Sequence, residues 1–304
     1  MIRKNMKKKY EKFEKIRLDK FLNLTSKFSR AEISKFITNG NVSINNKIET
    51  KPSKMMKFND VVEMKEIITN TKKTKINSNF KLNIRYEDDD LMVISKDSGI
   101  SVHAGVKTNS ETLTDLLLLS RPEILNVGES IRPGIVHRLD KGTSGLMIIA
   151  KKNEILEDLK RQFKSRKVFK EYLAIVNGIT KDNGIINAPI GRHPTDRLKK
   201  TLIRSGKEAH TSYKKIESSE DLSFLRVIIQ TGRTHQIRVH LSSIGHPVYG
   251  DKMYSNDYKH SKERILLHSY RLRFLHPNKK INIDIKDSIP KEFSRHFSIN
   301  SKKI

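Results

Sequence analysis

The residues best suited to chemistry begin at His137-Arg138-Leu139-Asp140-Lys141-Gly142-Thr143-Ser144-Gly145, where one carboxylate stands between cations and a glycine-rich stretch. Asp140 there could act as a nucleophile or a base. Apolar Ile135-Val136 leads in and Leu146-Met147-Ile148-Ile149-Ala150 leads out, which reads as a loop between two buried strands. An Asp among Gly, Ser and Thr is also an ordinary turn former. A phosphate-binding loop does not fit, because no Gly-x-x-x-x-Gly-Lys-Ser/Thr spacing can be laid over residues 134–145. Burial favours the neutral form of a carboxyl, so a working carboxylate needs a cation or fixed donors nearby. Gln230-Thr231-Gly232-Arg233-Thr234-His235-Gln236-Ile237-Arg238 offers both. A strand, Leu225 to Ile229, turns at Gly232 into a helix with an apolar stripe of Ile237, Leu241 and Ile244 and a stop at Gly245. His235 and His240 are five apart, with no Glu after His235, so the spacing argues against a metal pair. His137 reads as a packed or backbone-bonded histidine that shapes the loop, and Tyr172 alone as a core aromatic of a strand ending at Gly178.

Together these segments resemble the RluA/RluD family of RNA pseudouridine synthases. The resemblance rests on the His137-Arg138-Leu139-Asp140 run, on Lys170, Tyr172, Ala174, Val176 and Gly178 of a K-x-Y-x-A-x-V-x-G pattern, and on His235-Gln236-Ile237-Arg238. Ile265-Leu266-Leu267-His268-Ser269, with Phe274-Leu275-His276-Pro277, resembles the last motif of the family. It implies that Asp140 is the nucleophile, that Arg238 forms a salt bridge to it, and that Tyr172 packs on the target base and is a candidate for handling the C5 proton. Leu267 would line the base pocket and Arg138 would fill the space of a flipped uridine. His137, Arg233 and His235 are expected at the substrate. Isomerising uridine consumes no redox equivalents, so no cofactor and no metal are expected. One departure is Lys96-Asp97-Ser98-Gly99, where the family usually has Lys-Pro-x-Gly, which bears on the rigidity of that turn. Ala188 to Arg197 resembles the RluD branch, which acts on large-subunit rRNA, and Arg192 and Arg197 would suit phosphate contacts. Modification of tRNA, and a non-catalytic RNA-binding or ribosome-assembly role, stay open as alternatives.

These groups have to be positioned by a chain of 304 residues that is 36% hydrophobic, enough for a sizeable domain and a small one. Sixty-one Lys and Arg against 34 Asp and Glu give +27, which favours a polyanionic partner such as RNA. The chain has no Cys, which removes disulfides, thiolate catalysis and cysteine-ligated zinc. Without an apolar run long enough to span a bilayer, a cytoplasmic protein with no membrane partner, a monomer, is expected. Residues 1–15 hold seven basic side chains and read as a solvated arm. Residues 16–65 resemble the S4 RNA-binding domain: helices at Leu18-Phe21-Leu22 and after a Ser29/Glu32 capping box, then strands at Val42-Ser43-Ile44 and Asp60 to Met64. That resemblance turns Arg17, Lys20, Lys27, Arg30, Lys35 and Asn41 toward RNA. Residues 66–80 lack periodicity and read as a linker, 81–290 as the catalytic domain and 291–304 as a tail. Alternating strands such as Ile281 to Ile285, with interspersed helices, predict an α+β fold with a mixed, largely antiparallel sheet.

Overall fold

The computed structural model describes residues 4–12, 14–26, 28, 30–66, 82–103, 111–129, 132–255 and 263–298. The chain divides into two compact units, 1–78 and 79–304. The expected linker, the Ser29/Glu32 capping box and Lys27 fall on residues whose placement or side chains lie outside the described ones.

In the first unit the strands β1 (Lys4–Lys9), β2 (Val42–Ile44), β3 (Lys47–Ile48) and β4 (Val61–Glu66) form an antiparallel sheet in the order β1-β4-β2-β3. The helices α1 (Leu18–Thr25) and α2 (Arg30–Thr38) supply Leu18, Phe21, Leu22, Ile33 and Ile37 to a core with Val42, Val62 and Met64. Asn45 and Asn46, at φ 50° and 66°, make the tight β2–β3 turn, because asparagine tolerates the left-handed region. The start of the chain corrects the reading of residues 1–15 as a solvated arm. Lys4–Lys9 pairs in register with Glu66–Val61, and Tyr10 is buried behind it. A lysine run marks a solvated face, and an edge strand has one; charge on such an edge also discourages further pairing.

The second unit is built on β5 (Asn83–Glu87), β6 (Leu91–Lys96), β7 (Ser144–Ala150), β8 (Phe169–Asn177), β9 (Asn183–Asn187), β12 (His210–Ser218), β13 (Leu222–Ile229), β14 (Leu267–Leu275) and β15 (Asn282–Lys286). Their order is β5-β6-β7-β14-β8-β13-β12-β9, with β15 also on β14. Every pairing is antiparallel except β7 with β14, so the sheet is mixed and mostly antiparallel. The strands β10 (Ile190–Arg192) and β11 (Lys200–Leu202) make a separate hairpin. The helices are α3 (Leu113–Ser120), α4 (Asn153–Lys164) and α5 (Gln236–Ser243). α3 starts on a capping box, Thr112 with Asp115, and α4 buries Ile155, Leu156 and Leu159. All seven residues of β7 are buried, which accounts for its unbroken apolar run.

Three further readings change. Ile135-Val136 is no strand: Ile135 makes a single bridge to Ile149, and Ala150 N–H donates to Gly134 O at 2.8 Å. The loop before β7 therefore closes on β7 itself. Ile244 is 38% exposed, because α5 ends at Ser243 and the chain turns away at Gly245, φ 85°. Phe293 and Phe297, in the segment expected to be a tail, are buried against Phe224. Their burial offsets the entropy of ordering that end. Among the described residues no helix is long and apolar enough to cross a membrane.

Candidate active site

The loop that carries Asp140 is pinned at almost every residue. His137 Nε2 accepts the Ile148 amide at 3.0 Å, and its ring stacks on Phe163 with centroids 4.5 Å apart. That amide lies on the edge of β7 between the pairing with β14 and the Ile135 bridge, so the imidazole takes the place of a missing strand. Burial, with the Lys170 charge nearby, pushes the pKa of His137 down to about 3. His137 is thus a neutral sheet-edge acceptor and does not line the cleft at Asp140, where it was expected at the substrate.

On the other side of the loop, Lys96 is buried and its Nζ donates to the carbonyls of Asp97 at 2.8 Å, Ile100 at 3.0 Å and Lys141 at 3.4 Å. Ser98 Oγ donates to Gly142 O at 2.7 Å and the Gly99 amide to Lys141 O at 2.8 Å. The turn that lacks the usual proline is thereby tied directly to the loop. Ser144 Oγ is 2.9 Å from His268 Nδ1. Gly145, at φ 110°, passes so close to Ser269 that a Cβ there would overlap its backbone.

Arg238, in α5, is buried and bridges two carboxylates. Its Nε and Nη2 donate to Asp251 at 2.6 and 2.9 Å, and its Nη1 donates to Asp140 Oδ2 at 3.2 Å. Burial works against its charge, but the Asp251 bonds and the two negative charges outweigh it, and the guanidinium stays charged. The turn ahead of α5 is equally fixed. Lys170 Nζ donates to Gln230 O at 3.1 Å and Thr231 O at 3.3 Å. Gln236 Oε1 accepts from the Thr231 hydroxyl and the Arg233 amide, while its Nε2 donates to His210 O and Thr211 Oγ1.

Asp140, Arg138, Tyr172, Arg233, His235, Arg238 and Leu267 line one solvent-open cleft. Tyr172 comes from β8 and Leu267 from the first residue of β14, neighbouring strands. Burial, and to a lesser degree Asp140, lifts the Tyr172 phenol to about 12. Ionising it at pH 7 would cost on the order of 7 kcal/mol. Arg138 is exposed at the rim, and Arg233 is held by its Nε bond to Glu208 O at 2.9 Å. His235 adopts φ 60°, with Nδ1 2.8 Å from the Tyr254 hydroxyl and Nε2 3.9 Å from Asp140 Oδ2. His240 turns elsewhere, to Thr211 Oγ1 at 2.9 Å and Ala188 O at 3.0 Å, so the two histidines do not converge.

Asp88, Asp90 and His276 do converge, but Lys279, Tyr86, Lys152 and Asn278 already occupy their oxygens. They make a polar knot between the β5–β6 turn and the turn after β14.

The remaining expected contacts lie outside the cleft. Arg17 and Arg30 both bond Asp19, a buried carboxylate on α1, while Lys20 and Lys35 are exposed and Asn41 is half-buried. Arg192 and Arg197 are exposed on the β10–β11 hairpin. Sequence reasoning missed Asp251, Gln236 and Tyr254. The Gly250-Asp251 step beyond the end of α5 was the available signal.

Residues 90–243 match the RNA pseudouridylate synthase family and residues 16–62 the S4 domain. The chain is 41% identical to an uncharacterized RNA pseudouridine synthase of Aquifex aeolicus, over 88% of each protein. It is 37% identical to the ribosomal large subunit pseudouridine synthase D of Blochmanniella floridana, over 94% of this chain and 95% of that protein. Among solved structures, human RNA pseudouridylate synthase domain containing 1 aligns at TM-score 0.58 and 27% identity, covering 68% of this chain and 83% of that one. The cleft around Asp140 therefore belongs to an RNA pseudouridine synthase of the RluA family, one that carries an N-terminal S4 RNA-binding domain.

Proposed function

We propose that this pseudouridine synthase modifies uridine in large-subunit ribosomal RNA, with Asp140 as the carboxylate that acts on the ribose at C1′. The observation that carries the chemistry is the Arg238 bridge: one guanidinium is held by Asp251 and aims Asp140 into the cleft lined by Tyr172 and Leu267. The rRNA assignment is supported by relatives bearing the large-subunit name, such as that of Blochmanniella floridana.

The reaction breaks the N1–C1′ bond, turns the uracil and joins C5 to C1′; the C5 proton leaves to solvent and N1 takes one up, so the sum of atoms and electrons is unchanged. The target base has to leave its stack, at a cost of a few kcal/mol in a duplex and less in a loop. Arg138, exposed at the rim, occupies the vacated place, and its charge meets the neighbouring phosphates. Tyr172 and Leu267 sandwich the uracil. A phenol that stays neutral serves as a flat apolar platform and a hydrogen-bond donor, in preference to a phenolate base. Arg233 and His235 stand at the wall of the cleft where the sugar-phosphate chain would pass. Arg192 and Arg197 on the hairpin, and Arg17, Lys20, Arg30 and Lys35 of the S4 domain, contact the RNA backbone beyond it.

The test is to return the wild-type gene or an Asp140→Asn gene to cells lacking it and to map pseudouridines in their rRNA and tRNA. The wild type should restore one or more large-subunit sites and Asp140→Asn none, while purified Asp140→Asn still binds the RNA. A map restored only in tRNA would move the substrate, and turnover by Asp140→Asn would remove it from the central role.

A further inference from the structure

Tyr254 has no part in the reading above, yet three elements meet on it. Its hydroxyl accepts the backbone N–H of Lys200, in β11, at 2.8 Å and lies 2.8 Å from His235 Nδ1. Its ring faces the Arg238 guanidinium, with Cζ 5.0 Å from the centroid. The Tyr254 amide donates to Asp251 Oδ1 at 3.3 Å, and its carbonyl accepts from Ser242 Oγ at 2.9 Å. The ring also packs on a small apolar cluster that joins Ile190 at the base of the hairpin to Val239 of α5. Backbone of the hairpin, the helix bearing Arg238 and the histidine nearest Asp140 thus share one side chain.

A tyrosine hydroxyl has one proton to give. Because the oxygen already accepts from Lys200, the satisfied arrangement sends that proton to His235 Nδ1. His235 then carries its own proton on Nε2, the nitrogen 3.9 Å from Asp140 Oδ2. With the roles reversed, the phenol would take two donors and its proton would have no hydrogen-bond acceptor among the described residues. His235 is also held at φ 60°, a conformation that costs a non-glycine residue energy, and such strain persists where surrounding contacts impose it.

We propose that Tyr254 is a positioning residue: it fixes His235 as the Nε2–H tautomer facing Asp140 and links the seating of the β10–β11 hairpin to the alignment of the Asp140–Arg238 pair. The coupling runs from the Lys200 N–H through the Tyr254 hydroxyl to the His235 ring, while the Tyr254 ring bears on Arg238. When an RNA backbone draws on Arg192 and Arg197, the hairpin carries Lys200 with it, and the shift reaches His235 through this hydroxyl. The link to RNA rests on the function proposed above; the tautomer does not.

The experiment therefore has two readouts. In the uniformly 15N-labelled full chain, long-range proton–nitrogen correlation, with His235 assigned from its loss in His235→Gln, should report the Nε2–H tautomer. Tyr254→Phe, which keeps the ring, should lose that preference while the rest of the spectrum holds its dispersion. With a transcript of large-subunit rRNA labelled with tritium at uridine C5, Tyr254→Phe should lower kcat about tenfold while KM stays within about threefold. Adding it to His235→Gln should cost nothing more. An Nδ1–H tautomer in the wild type, an unchanged tautomer in Tyr254→Phe, or additive losses in the double variant would overturn the proposal. A wild type inactive on that transcript would refute the rRNA substrate instead, and the tautomer would still decide the role of Tyr254.

Discussion

At the scale of single residues the site turns on Arg238 serving two carboxylates of unequal burial. Asp251 is almost wholly enclosed and takes two of the guanidinium donors, whereas Asp140, which lines the cleft, takes one. Asp251 thus aims the arginine and the arginine aims Asp140. Removing one partner of a buried pair strands the other, so Asp251→Asn should lower stability by about 3–5 kcal/mol in denaturant titrations. Any folded fraction should turn over more slowly than wild type in tritium release, because Arg238 loses the charge that orients it. An unaltered rate would show that Arg238 is held well enough without Asp251. Asp140 and Arg238 were legible from their motifs, since each motif keeps its neighbours in fixed order. Asp251 and Tyr254 were not, because they follow the helix by a loop whose path no local pattern dictates.

At the scale of elements, the decisive feature is the short parallel contact of β7 with β14, made by Ser144 with His268 and Gly145 with Ser269. It brings the end of the Asp140 loop beside Leu267, the residue at the start of β14. The contact needs a glycine, since Gly145 is at φ 110° and any Cβ would overlap the Ser269 backbone. Gly145→Ala is expected to cost more than about 2 kcal/mol of stability and to depress turnover with it, measured by denaturant midpoint and tritium release. The burial of β7 could be read from its apolar run, but its neighbours could not. His137 shows why: whether an imidazole faces substrate or fills a gap at a sheet edge depends on which strand is absent beside Ile148. The basic run at Lys4–Lys9 likewise carried its charge plainly and its pairing with β4 not at all, because that partner lies more than fifty residues away.

For the whole molecule, the net charge of +27 sets how it meets RNA. Counterions released from phosphates make such binding strongly dependent on salt. In the S4 domain, Asp19 takes donors from both Arg17 and Arg30 at 3.0–3.2 Å, which orders two guanidinium groups on one surface beside exposed Lys20. Replacing Lys20 or Lys35 with Gln should weaken RNA binding and reduce the slope of log K against log salt by about 1 for each phosphate no longer neutralised. kcat at saturating RNA should stay unchanged, because both residues belong to the S4 domain and the groups proposed to act on the uridine all belong to the second unit. A slope equal to that of the wild type would mean that the charge removed never touched the backbone.

By itself the sequence determined the family, the α+β class and the candidate groups for the chemistry, because those follow from residue type and short-range spacing. Asp140, Tyr172, Arg238 and Leu267 lie on four separate segments. Only the tertiary structure decided that they share a cleft, that Asp251 and Tyr254 bond two of its residues, and that His137 is spent on the Ile148 amide outside its lining. Those outcomes depend on which strand edges and buried charges find partners far along the chain, a property of the folded whole that no local pattern contains.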